Sequence, residues 1–178
     1  GAPTVWRGPL VAGAVQQLLR DVEWGELDYL LIDLPPGTGD AQLTLAQSTT
    51  LAGAVIVTTP QDVAMQIAGK ALAMFREVNV PILGIVENMS QFVCPHCGSV
   101  SAIFKRGGGR RASESLGVPF LGEIPLDPMI CQTGDRGEPI PTMHPDSPVA
   151  EAFRQVAGNL AERIRAEAAS GPVIRMGP

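Results

Sequence analysis

Four short apolar runs, each ended by a polar or turn-forming residue, most constrain how this chain can fold. They cover residues 28–34, 54–59, 82–86 and 118–124. Short, continuously apolar runs of this kind are typical of strands that are buried on both faces of a parallel sheet. Segments with helical spacing of apolar residues lie between them. The sequence therefore predicts an α/β fold, a parallel sheet with helices on both faces.

The helices are predicted from the recurrence of apolar residues every three or four positions. They cover 9–20, 41–47, 62–78, a short segment that ends at residue 116, and 149–168. One stripe of the third is predicted to face the core: Val63, Ile67, Ala71, Met74, Phe75 and Val78. The proline-rich stretch 126–148 has no periodicity and is predicted to be a loop. The whole chain, 1–178, is predicted to be a single domain, with a disordered tail over 169–178.

Polar residues and turns follow the predicted strands where ligands bind in parallel sheets, outside the carboxyl ends. They are Asp33, the loop 35–40, the turn 60–62, Asn88 and the loop 125–128. Asp33 and the glycine-containing loop after it suit a magnesium nucleotide, but an aspartate that caps the next turn fits equally well. Asn88 has an amide that could read a base edge, and it could also be an ordinary turn residue.

The phosphate-binding pattern G-x-x-x-x-G-K-[ST] does not occur anywhere in the 178 residues. Without it, these residues do not build a self-sufficient nucleoside triphosphatase. Any nucleotide site predicted here is therefore partial.

The segment Cys94-Pro95-His96-Cys97-Gly98 places two thiols where both can reach one soft metal centre. Two thiolates are half of what an iron–sulfur cluster or a structural zinc site needs, so a second copy could supply the rest. A second interpretation is a dithiol redox pair, although the following residues look like a hairpin and not the helix start that such pairs use. A third is an intrachain zinc site completed by Cys131 together with His96 or His144, whose spacings do not match an established zinc pattern. Two spectator thiols are the remaining possibility.

Composition excludes several classes of protein. The net charge is −5, with no basic block, which disfavours nucleic acid and anionic membranes as partners. Apolar residues make up 45% of the chain, yet no run is long enough to cross a membrane. The three cysteines, two of them in a tight pair, favour a reducing compartment over a disulfide framework.

Taken together, these stretches resemble the Mrp/ApbC-type P-loop ATPases, which are iron–sulfur cluster carriers. The resemblance rests on WRGP at 6–9, DYLLIDLPPGTGD at 28–40, TTPQDVA at 58–64, ENMS at 87–90, CPHCG at 94–98 and GEIPLDP at 122–128. It covers nearly all of residues 4–165, and the combination is far more specific than any single piece.

The resemblance implies a P-loop NTPase fold of the deviant Walker A class and a role for each matching residue. Asp33 corresponds to the Walker B aspartate that supports magnesium, and Gly37 to a backbone contact with the terminal phosphate of ATP. Asn88 corresponds to the residue that reads adenine, with Pro125 and Asp127 in the loop against the base. Cys94 and Cys97 correspond to the pair that bridges a [4Fe–4S] cluster with the same pair of a second subunit.

The family implies a cytoplasmic homodimer that passes its cluster to apo iron–sulfur proteins under control of ATP. The family's phosphate loop and the next strand would precede residue 1, so the chain is expected to be N-terminally truncated and its ATPase activity is uncertain. Two alternatives remain open at this stage: a dithiol redox protein and a partitioning-type ATPase module, neither of which needs a cluster.

Overall fold

A computed structural model describes residues 8–34, 40–94 and 96–170 of the chain. The elements follow in order as α1 (Gly8–Arg20), α2 (Asp40–Ser48), β1 (Ala54–Thr58), α3 (Asp62–Glu77), β2 (Ile82–Glu87), β3 (Phe92–Val93), β4 (Val100–Ser101), α4 (Gly108–Leu116), β5 (Phe120–Glu123), α5 (Pro128–Asp135), α6 (Ile140–Met143) and α7 (Pro148–Ser170). The predicted α/β class is confirmed. In the described residues, no helix is both long and apolar enough to span a membrane.

The main sheet has three parallel strands in the order β1-β2-β5, so β2 is central. Its residues Leu83, Ile85 and Val86 are buried, as the continuous apolar run predicts. Ile85 belongs to the core cluster that α3 and α4 cover, and Val86 to the cluster that α7 covers. Helices therefore pack on both faces of the sheet.

The run 28–34 does not form the predicted strand. Residues 29–34 have no regular secondary structure, and Leu31 is 81% exposed. A strand needs a neighbour to accept and donate its backbone hydrogen bonds. In the described part of the chain, neither sheet includes this run as a strand. Leu34 nevertheless packs against the core cluster of Ile56 and Ile85.

The predicted inner stripe of α3 is wrong in its first half. Met74 and Phe75 are buried as expected, but Val63 is 70% exposed and Ile67 60%. Nothing among the described residues covers the N-terminal turns of the helix on that side. The apolar periodicity therefore predicts that the helix is amphipathic, but it does not predict which of its turns pack against other elements.

The stretch 126–148 is not one loop, because it contains α5 and α6. Asp127 caps α5 by accepting a hydrogen bond from the Met129 backbone N–H at 2.8 Å, and Pro128 occupies the start of the helix. Ile140 of α6 is buried with Val149 and Ala150. At the other end, α7 continues to Ser170, so residues 169 and 170 are helical, while 171–178 lie outside the described residues.

Candidate cluster and nucleotide site

The carboxyl end of β2 leads directly into the segment that carries the predicted site residues. Asn88 donates its backbone N–H to the Thr58 carbonyl at 2.7 Å, which ties it to the end of β1. Its side-chain Oδ1 accepts a hydrogen bond from the Met89 N–H at 2.9 Å. Met89 has a φ of 56°, a left-handed conformation that is uncommon for a residue with a side chain. This sharp turn leaves Asn88 half-buried at the edge of the sheet.

The loop after β5 is bonded to the same segment. The Ile124 N–H donates to the Glu87 carbonyl at 2.8 Å, and the Ser90 N–H donates to the Ile124 carbonyl at 3.1 Å. Leu126 donates to the Gln91 carbonyl at 2.7 Å. Asn88 and the loop that holds Pro125 and Asp127 therefore lie on adjoining backbone segments. The carboxylate of Asp127 caps α5, which limits it to a positioning role.

The other two predicted nucleotide residues are not brought into this arrangement. Asp33 is exposed and follows no strand. Within the described ranges, no hydrogen bond or ion pair joins it to Asn88 or to the 124–127 loop. Gly37, with the rest of 35–39, lies outside the described residues.

Cys94 and Cys97 lie on the tip of the β3–β4 hairpin, as the sequence indicated. The Cys94 N–H donates to the Ser99 carbonyl and the Gly98 N–H donates to the Cys94 carbonyl, each at 2.9 Å. Gly98 takes a φ of 69°, which a glycine adopts without strain, and this closes the turn. The backbone thus forms a compact turn that carries both cysteines. Pro95 lies outside the described residues.

All three cysteines are free thiols. Cys97 is exposed and its Sγ lies 3.1 Å from the Ser99 hydroxyl. Hydrogen bonds from the Ser99 side chain and backbone, with a smaller contribution from Cys94, hold the pKa of Cys97 below its usual range. A lowered pKa favours the thiolate, the form that binds metals.

Among the described residues, no third ligand joins the pair. Across the described residues, no group of three or more histidine, cysteine, aspartate and glutamate side chains could hold a metal ion. The intrachain zinc site is therefore not supported, and Cys131 lies on α5, 3.8 Å from the Asp135 carboxylate. The donor set fits half of a four-thiolate centre.

Two contributions to the site were missed by sequence reasoning. Glu87 is fully buried, and its carboxylate accepts hydrogen bonds from the N–H groups of Gly107 and Gly109. These bonds attach the segment after the hairpin to the strand that ends at Asn88. A charged residue at the end of an otherwise apolar strand was the available signal. Ser99, the second residue missed, gave no signal in the sequence.

The fold is an α/β sheet whose carboxyl end carries a hairpin with two thiols, and solved structures share this fold. The nucleotide-binding protein of Archaeoglobus fulgidus in complex with ADP superposes with a TM-score of 0.65 at 45% identity, covering 72% of this chain and 53% of that chain. The cell division ATPase MinD of Pyrococcus furiosus superposes with a TM-score of 0.64 at 24% identity, covering 88% and 59%. At 24% identity, this second likeness shows a shared fold alone.

The chain belongs to the family described as ParA: NUBPL iron-transfer P-loop NTPase, which matches residues 1–161. The iron-sulfur cluster carrier protein of Deinococcus radiodurans is 54% identical over 92% of this chain and 46% of the relative. The iron-sulfur cluster transfer protein NUBPL of Dictyostelium discoideum is 47% identical over 91% and 50%. The chain thus spans about half the length of these curated relatives.

Proposed function

We propose that this chain binds an iron–sulfur cluster through Cys94 and Cys97 and transfers it to apo iron–sulfur proteins. The observation that carries the proposal is a pair of free thiols on one tightly bonded turn, with no third ligand among the described residues. Relatives whose names state cluster carriage or transfer match more than nine-tenths of the chain. The alternatives of a partitioning module and a dithiol redox protein are not favoured by these relatives.

Two copies of the chain complete the site in this proposal. Each contributes two thiolates, and four thiolates are the usual ligand set of a [4Fe–4S] cluster. A homodimer with a two-fold axis near the hairpin tips satisfies this count without any other residue. We place the protein in the cytoplasm, where free thiols persist.

A nucleotide is proposed to bind beside the hairpin, with its base between Asn88 and the 125–127 loop. Asn88 and Cys94 are six positions apart, and the connecting segment is bonded to that loop at Ser90 and Gln91. Occupancy of the base site is thereby linked to the thiols through continuous backbone. Hydrolysis of ATP, with Asp33 supporting magnesium, requires a phosphate loop that these 178 residues do not contain, so the proposal for this chain is limited to nucleotide binding.

Anaerobic reconstitution with iron and sulfide tests the proposal. We expect about four irons and four sulfides per dimer, with mass measured under native conditions. Cys94→Ser and Cys97→Ser should each lose most of the iron, and Cys131→Ser is the matched control that should retain it. Stoichiometric zinc in a monomer, or a metal-free protein with an exchangeable Cys94–Cys97 disulfide, would overturn the carrier function.

A further inference from the structure

The two thiols of the hairpin are not equivalent. Cys94 is half-buried, and both its backbone N–H and its carbonyl are bonded within the turn. Cys97 is exposed, and its side chain is held by the Ser99 hydroxyl at 3.1 Å. One ligand is therefore anchored in the hairpin, and the other lies where an incoming protein can reach it.

Ser99 contacts the two cysteines with different atoms. Its backbone carbonyl accepts from the Cys94 N–H at 2.9 Å, while its side chain contacts the Cys97 sulfur. A thiolate has only lone pairs to offer, so the Ser99 hydroxyl must be the donor when Cys97 is a ligand. Because the two contacts use different atoms, removal of the hydroxyl leaves the turn's backbone bonds in place.

A hydrogen bond to a ligand sulfur draws electron density away from it. Such bonds raise the potential of iron–sulfur clusters, and a thiolate stabilised in this way is also a better leaving group. Cys94 has no corresponding side-chain donor within the described residues. The bond between iron and Cys97 is therefore expected to be the weaker of the two.

We propose that Ser99 is a positioning residue that makes Cys97 the first ligand to dissociate from the cluster when the cluster passes to an acceptor protein. The inference rests on the proposed carrier function and specifies its order of events. An acceptor cysteine thiolate forms a bond to the iron, and the bond between that iron and the Cys97 Sγ breaks. The electron pair stays on the Cys97 sulfur, which Ser99 stabilises until water protonates it. No atom changes oxidation state, and Cys94 is displaced afterwards.

The test compares Ser99→Ala with Ser99→Thr, which keeps the hydroxyl, and with Ser101→Ala, an exposed serine of β4. Each dimer is loaded with cluster, and transfer to an apo-ferredoxin with cysteine ligands is followed by circular dichroism. Ser99→Ala should load the same iron and transfer it about 3- to 10-fold more slowly, the range for losing one hydrogen bond. Ser99→Thr should restore the rate, and Ser101→Ala should match the unsubstituted protein. The reduction potential of the Ser99→Ala cluster should fall.

A second measurement uses the protein without iron. Iodoacetamide labelling, mapped by mass spectrometry, should modify Cys97 faster than Cys94. The difference between the two labelling rates should be smaller in Ser99→Ala. Equal labelling of the two thiols, or unchanged transfer and potential in Ser99→Ala, would overturn this inference alone. Failure of the unsubstituted protein to hold iron would overturn the carrier function and the transfer order with it. These outcomes are distinguishable because labelling does not require the cluster.

Discussion

Glu87 has a carboxylate enclosed at the end of β2, and its contacts are backbone amides. The N–H groups of Gly107 and Gly109 donate to its two oxygens, at the start of α4. The N-terminus of a helix favours a negative charge, and bonds to a carboxylate are stronger than those to neutral acceptors. The residue before Asn88 therefore holds together the sheet edge and the segment that leaves the hairpin.

We predict that Glu87→Gln destabilises the protein by about 1–3 kcal/mol, since the amide nitrogen would face an N–H donor in a buried site. Urea unfolding followed by circular dichroism measures this loss. The control is Glu77→Gln, at an exposed position of α3, which should leave the midpoint unchanged. Equal midpoints for the two variants would show that the buried carboxylate is not needed to hold the segment.

At the residue scale, the thiol pair could be predicted from sequence and its asymmetry could not. The spacing of Cys94 and Cys97 with Gly98 fixes a tight turn wherever the hairpin lies. The contact between Ser99 and Cys97 depends on the register in which Val93 pairs with Val100, which a two-residue strand does not reveal. The role predicted for Asp33 stays a prediction, because the strand expected to position it did not form.

At the scale of elements, the segment 105–109 joins the hairpin to three places at the carboxyl end of the sheet: Asp62, Glu87 and Pro60. Lys105 forms an ion pair with Asp62 at the start of α3, at 2.6 Å, and Glu87 binds the glycines. Gly108 packs on the backbone of Pro60, where a Cβ would lie 2.7 Å from the carbonyl oxygen. Only a residue without a side chain allows α4 to begin this close to the end of β1.

Gly108→Ala should therefore lower the free energy of unfolding by about 1–3 kcal/mol, because neither the Pro60 backbone nor the helix can easily move. Gly69→Ala, in α3, is the matched control. A Cβ there meets nothing within 4 Å, so this change should be neutral or stabilise by up to about 1 kcal/mol. Thermal unfolding of both variants decides the point. A Gly108→Ala protein as stable as the control would contradict the packing argument.

The ion pair between Asp62 and Lys105 makes the stability of the protein depend on pH. The hydrogen bond and charge of Lys105 lower the pKa of Asp62. A depressed carboxyl pKa contributes stability above the unfolded value of about 4, and that contribution is lost as the pH falls through the folded value. Asp62→Asn should thus slightly lower the urea midpoint at pH 7 and make no difference once the pH is below the folded pKa of Asp62.

The effect of Asp62→Asn should also shrink in high salt, since both side chains are largely exposed. Asp146→Asn, at an exposed position where no ion pair is found among the described residues, is the control and should have no such dependence. A difference between Asp62→Asn and the unsubstituted protein that persists in acid would assign the effect to something other than the ion pair.

The helices and strands that could be predicted are those whose formation depends mainly on their own sequence. The strands β1, β2 and β5 were expected from short apolar runs, and the long helices from apolar periodicity. The short helix α5 was missed because it depends on Asp127 as a cap and Pro128 at its start, and not on an apolar stripe. The prediction of a strand at 28–34 was wrong for the opposite reason. Its apolar pattern is strong, but a strand also needs a hydrogen-bonded neighbour.

At the scale of the whole molecule, several large apolar side chains are exposed. The exposed apolar side chains include Leu31, Val57, Val63 and Ile67. In the described residues β1 pairs only with β2, so its other side is a sheet edge. Exposed apolar patches and free edges promote association between molecules.

We predict that this chain self-associates at micromolar concentration and that Val63→Glu with Ile67→Lys reduces the association. The two positions are four apart on α3, so the new side chains can pair on the helix surface, and the acidic one lies in the first turn where it is favourable. Thermal stability should therefore be unchanged or slightly higher. Light scattering and sedimentation velocity measure the association.

The matched control is Gln66→Glu with Ala73→Lys, which adds the same two charges to exposed positions of the same helix without removing an apolar side chain. If it reduced association equally, the added charged groups would be the cause and not the loss of apolar surface. If neither variant had an effect, the association would lie with the edge of β1. In that case Val57→Lys, on the edge strand itself, should be the substitution that disperses the chain, because an edge lysine opposes strand pairing.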